Sequence, residues 1–163
     1  VDFILGALRK VSPENVSQEC VFEDPVLILV RADHPLASGF DSVTDKLTPK
    51  QLGDLSWILP RIGTPGRANF EAFMAAKGLP SPRRVIDSSS LVATRELLLR
   101  TDHAAILSAQ QVALEVEASV LKIMGPPLTG SERDIGISCR HGFKPTLLHT
   151  HFLEHLRVAG RRQ

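Results

Sequence analysis

Short runs of branched and aliphatic residues alternate with helix-period patterns along most of the chain. This alternation restricts the fold more than any other feature, because it calls for an α/β arrangement of strands and crossover helices with mainly parallel sheets. Residues 26–30 form a continuous apolar run, as expected of a strand covered on both faces. Trp57-Ile58-Leu59 has the same character, and Pro60 ends it. Residues 85–87, 104–107, 120–124 and 135–139 predict further strands, and 1–8 predicts a buried one. Between them, a short helix is expected to begin near Thr48-Pro49, and a longer one at Pro65 with Thr64 as its N-cap, ended by Gly78 and Pro80. Phe70, Phe73 and Met74 give that longer helix its apolar face. Leu91, Thr94 and Leu98 mark the inner side of a helix over 91–100. Ser108 and Gln111 have capping-box spacing, so 109–118 is expected to be helical. A last helix over 145–159 is expected to face the core with Leu148, Phe152 and Leu156.

Composition narrows the function classes. With 163 residues, 43% apolar and net charge +1, the chain has the balance of a globular protein. Its apolar runs fall far short of the ~20 residues that a membrane-spanning helix needs, so no membrane partner is expected. Cys20 and Cys139 are too few for a disulfide framework and predict free thiols. Residues 1–30 carry two basic residues against five acidic ones, and the basic excess after 131 crowds the last few positions. Duplex DNA is held by neutralising several phosphates at once, so this piece is not expected to grip DNA itself. The chain starts at Val1, inside an apolar run and without the pattern of a signal peptide, which predicts a piece whose upstream part is missing.

Nucleotide-binding glycine loops, the nucleophile elbow and the zinc-protease helix motif are absent from the sequence. No enzymatic activity and no cofactor are expected. His149, His151 and His155 have a spacing that places 151 and 155 on one helix face, but no third ligand recurs nearby, which predicts a solvated face and no metal. The turn over 61–67 has more chemistry. A helix start offers unpaired N–H groups and about half a positive charge to an anion. Gly63 and Gly66 permit close approach, the Thr64 hydroxyl can donate, and Arg61 or Arg67 can supply charge. A capped helix without a ligand has the same pattern. Ser88-Ser89-Ser90 is a second strand-to-helix junction, where one serine is expected to cap.

The order of motifs resembles the effector-binding domain of LysR-type transcriptional regulators. The resemblance rests on Val1-Asp2-Phe3-Ile4-Leu5-Gly6, on Phe22-Glu23-Asp24-Pro25-Val26-Leu27, and above all on His34-Pro35-Leu36-Ala37 after an apolar strand. Residues 52–60, Gly78-Leu79-Pro80, 86–91, Ala105-Ile106-Leu107-Ser108 and Phe152-Leu153 with Leu156-Arg157 add to it. Residues 57–67 are similar to the galactose-binding-protein and protocatechuate regulator branch. The resemblance implies a two-lobed, periplasmic-binding-protein-like (type 2) α/β fold with an incomplete lobe I over 1–31 and 132–163 and lobe II over 32–131. It implies a small-molecule effector, an organic acid or sugar-related metabolite, in the cleft between the lobes. Gly63, Thr64 and Pro65 would contact it from lobe II, and Ala7 and Leu8 from lobe I. It further implies a cytoplasmic homo-oligomer that meets DNA only through a missing N-terminal domain. An exported solute-binding protein of a transport system is the alternative.

Overall fold

The computed structural model describes residues 2–9, 11–41 and 44–161; Val1, at the head of the expected first strand, lies outside them. In chain order the elements are β1 (Phe3–Ala7), β2 (Val16–Asp24), β3 (Val26–Arg31), α1 (Pro49–Asp54), β4 (Ser56–Leu59), α2 (Pro65–Ala76), β5 (Val85–Asp87), α3 (Leu91–Arg100), β6 (His103–Ser108), α4 (Ala113–Glu117), β7 (Leu121–Ile123), β8 (Arg133–Arg140) and α5 (Leu147–Gly160). They form two compact units, Val1–Asp24 with Glu132–Gln163, and Pro25–Ser131.

The larger unit is a five-stranded sheet in the order β5-β4-β6-β3-β7. Its ladders are parallel for β4 with β5 and with β6, and antiparallel for β3 with β6 and with β7. Parallel pairing is therefore confined to β4 and its two neighbours, and the sheet is mixed. One face packs Trp57 and Leu59 against Phe70 and Met74 of α2, and the other packs Ile58 and Leu29 against Leu98 of α3. This two-sided cover explains the unbroken apolar runs of β3 and β4. The expected division at residue 31 differs from the observed one: β3 bonds only within the larger sheet, with Leu27, Ile28, Leu29 and Val30 all buried there, so the chain leaves the smaller unit at Asp24. The expected helix over 109–118 is broken into a 3-10 turn (Ala109–Gln111) and α4, because Val112 between them turns fully into the core.

The turn after β3 explains the His34-Pro35-Leu36-Ala37 motif. Buried His34 accepts the Leu36 N–H at Nδ1 (3.0 Å), which leaves Nε2 to donate to the Asp102 carbonyl (3.4 Å). Arg31 donates to the Asp102 carboxylate through Nε (2.9 Å) and Nη2 (2.7 Å), so the segments following β3 and preceding β6 are tied twice.

The smaller unit is an antiparallel sheet, β1-β8-β2, with α5 against it. Among the described residues β1 pairs with β8 alone, and Ile4 (62% exposed) and Leu5 (48%) are open to solvent, contrary to the expected buried strand. An apolar run shows that a strand can be covered; pairing and layering decide whether it is. α5 departs from expectation at its start. Leu148 (76% exposed) faces outward, Phe152 (48%) is half-exposed but stacks on Phe3 of β1, and Leu153, Leu156 and Gly160 face the sheet. The helix is set by Gly160, where an added Cβ would come within 2.3 Å of Val21 Cγ1 and 2.8 Å of its carbonyl oxygen.

Gly136 is the tightest point of this sheet. A Cβ there would lie 2.0 Å from the Glu19 carbonyl oxygen and 2.8 Å from Leu8 Cδ1, whereas one at its register partner Gly6 meets nothing within 4 Å. The backbone of β2 cannot yield without losing its ladder. Gly136→Ala is therefore expected to cost about 3 kcal/mol or more in urea unfolding, with Gly6→Ala close to the unsubstituted chain; equal midpoints for the two variants would contradict this packing.

Candidate functional site

The candidate site grows out of the handover from β4 to α2. Trp57, Ile58 and Leu59 are at most 1% exposed, and Pro60, with no N–H to donate, ends the strand. The chain reverses over Arg61 to Thr64, with Thr64 N–H donating to the Arg61 carbonyl (3.2 Å) and Gly63 at φ +86°, in the left-handed region that glycine tolerates. Thr64 is the N-cap of α2 and Pro65 its first helical residue, as the sequence predicts. Thr64 Oγ1 accepts the Arg67 N–H (3.4 Å) and donates its own hydrogen to the Arg61 carbonyl (2.8 Å). Its hydroxyl is thus engaged in the turn itself and not free to donate to an anion, as the sequence had suggested.

The two arginines of the turn have different roles. Arg67 is buried; Nε donates to Glu71 (2.8 Å), and Nη1 to Asp87 (2.7 Å) and to the Pro60 carbonyl (3.3 Å). It ties the first turn of α2 to the ends of β4 and β5, and two carboxylates offset its charge. Arg61 is exposed and makes no ion pair among the described residues. The backbone N–H groups of Gly63 and Gly66 likewise have no partner among them. What the turn offers an anion is two open amides, the positive end of a twelve-residue helix and one free guanidinium.

Other expected positions are less open. Ser90 caps α3 by accepting the Ala93 N–H (3.2 Å), and the Ser88 hydroxyl is taken up by Ser90 and Thr94. Ser108, which the sequence marks only as a cap, ends β6 with its N–H donating to the Gln111 side chain (3.2 Å) and a buried hydroxyl that has no hydrogen-bond partner among the described residues. Its side chain sits at a strand end, as the Arg61–Thr64 turn does, and no sequence pattern separates it from an ordinary cap. Ala7 and Leu8 belong to the smaller unit, where Leu8 N–H donates to the Asp134 carbonyl (2.8 Å) and its side chain covers Gly136. His149 packs beside Phe3 and Phe143, and His155 Nδ1 lies 2.8 Å from the His151 carbonyl. Among the described residues no three His, Cys, Asp or Glu side chains converge to hold a metal. No helix among them is long and apolar enough to cross a membrane.

Comparison with known proteins places this arrangement. The model of the LysR substrate binding domain matches residues 1–161. The chain belongs to this family, whose fold is the type 2 periplasmic-binding-protein-like α/β architecture. It is 36% identical over 146 residues to the HTH-type transcriptional regulator GalR of Pseudomonas putida, covering 87% of this chain and 34% of that protein. Among solved structures, the Synechocystis PCC6803 CcmR regulatory domain in complex with 2-PG matches with a TM-score of 0.71 at 18% identity, over 99% of this chain and 74% of that one. The effector binding domain of QuiR in complex with shikimate matches with a TM-score of 0.67 at 15% identity, over 99% and 73%. The chain spans about a third of GalR's length.

The contrast between the arginines is testable without a ligand. Arg67→Ala leaves Asp87 and Glu71 without their shared partner and removes packing from the sheet edge; as both carboxylates are near half exposed, the expected loss is about 1–2 kcal/mol. Arg61→Ala is expected to stay within about 0.5 kcal/mol of the parent. Urea midpoints check the pair, and similar losses for both would contradict the assignment.

Proposed function

We propose that this chain is the ligand-sensing module of a LysR-type transcriptional regulator, and that it seats the anionic group of a small organic acid or acidic sugar derivative at the start of α2. The observation that carries this is the pair of open amides at Gly63 and Gly66 beside the unpaired Arg61. The turn contributes Arg61, Gly63, Thr64 and Pro65 as the anion's surroundings. Arg67 holds them in place from behind, through its bonds to Pro60, Glu71 and Asp87. That QuiR's domain takes shikimate, a carboxylate, is in keeping with an acid as ligand.

In this proposal the regulator acts in the cytoplasm as a homo-oligomer, touches DNA through a segment outside this chain and carries out no reaction. An effector shifts such a protein only by binding one of its conformations better than another. A hundredfold preference corresponds to about 2.7 kcal/mol of bias, which is enough to move a balanced equilibrium almost fully to one side.

The test is a titration of the 15N-labelled chain with shikimate, gluconate and succinate. At least one is expected to shift the amide resonances of residues 61–67 saturably, and Arg61→Ala is expected to weaken that binding about tenfold. Unmoved resonances across the panel, or unchanged affinity in the variant, would remove the assignment.

A further inference from the structure

The smaller unit contains a cavity of about 330 Å³ between its sheet and α5, within the size range of small-molecule sites. Strand register builds its floor. Phe3, Cys139 and Ser17 stand opposite one another across the three strands, and Ile137 and Glu19 pair two residues further along the same face. Phe143, Leu153 and Arg157 form the opposite wall. The aromatic side is held in place by neighbouring rings: Phe3 stacks on Phe152 at 5.5 Å between centroids and meets Phe143 edge-on at 6.5 Å.

The cavity has one charged feature. Arg157 donates to Glu19 through Nε (2.6 Å) and Nη2 (2.8 Å), and this guanidinium holds the Glu19 carboxyl below the ordinary glutamate range. Glu19 is therefore ionised at neutral pH, and the pair is neutral overall. A carboxylate entering here would meet Glu19 as a like charge and would have to compete with it for Arg157. An uncharged ring with one hydroxyl has no such conflict: its faces match the apolar walls, and its O–H can donate to a carboxylate whose oxygens have lone pairs to spare.

We propose that this cavity is a second small-molecule site, separate from the α2 turn, that takes an uncharged monocyclic phenol with its ring beside Phe3, Phe143 and Leu153 and its hydroxyl donating to Glu19. It does not depend on the α2 turn being the effector seat, since shifts at residues 61–67 report on that turn and shifts at residues 17–19 report on this cavity.

Phenol and benzoate are the probes. Titrating the 15N-labelled chain with phenol is expected to shift residues 17–19, 137–139 and 153–157 saturably, whereas benzoate at equal concentration leaves them in place. Saturating phenol is expected to slow alkylation of Cys139 and to leave the exposed Cys20 unaffected. Glu19→Gln is expected to weaken phenol about tenfold, the loss of a hydrogen bond to a charged acceptor, and to admit benzoate, because Arg157 is then unclaimed. The pair is nearly half exposed, so this variant is expected to keep the fold. Absent phenol shifts, an unshielded Cys139, benzoate binding the parent as well as phenol, or unchanged phenol affinity in Glu19→Gln would each overturn the proposal.

Discussion

The buried guanidinium of Arg67 fixes the region on which the rest of the account depends. β4 is sealed in the sheet, Pro60 ends its hydrogen bonding, and five residues later Pro65 opens α2. A turn this short has little freedom, and Arg67 takes up what remains by bonding to the Pro60 carbonyl, to Asp87 at the end of β5 and to Glu71 one helical turn on. Burying one cation is costly unless its donors are met. Here Nε and Nη1 are met by groups at the end of β4, on α2 and on β5, so the charge serves to fix geometry.

That pairing shapes the chemistry. Had Arg67 been free, the turn would resemble any basic loop. With Arg67 paired, the proposed seat for an anion rests on oriented backbone amides and on Arg61, which sits at the surface. Amides held by a rigid turn favour the geometry of one bound group, because little reorganisation is needed on binding. In the smaller unit the same economy appears with opposite sense: Arg157 is engaged by Glu19, and the cavity beside it is left electrically neutral.

Much of this was legible in the residues. Thr64-Pro65 and Gly78 bracket α2, Ser90 caps α3, and the apolar runs of β3 and β4 announce strands buried on both faces. β2 escaped notice because its polar residues, and the irregularity between Cys20 and Phe22, break the two-residue alternation that marks a strand. The inward face of α5 was legible in part. Leu156 meets the sheet and Phe152 stacks on Phe3, as the helical period predicts, but Leu148 stays exposed, and the close approach at Gly160, one step further along the same row, was hidden because a glycine leaves no mark in an apolar pattern. Which arginine of the turn is free was not legible either, since Asp87 lies twenty residues beyond Arg67 and meets it only through the parallel pairing of β4 with β5.

The central claim is that open amides at the start of α2 receive the ligand's negative charge. Solvent exchange at Gly63 and Gly66, measured with and without a saturating amount of the tightest-binding acid, tests it most directly. Both amides are expected to exchange more slowly once the acid is bound. An acid that binds the chain while leaving both rates unchanged would contradict the account.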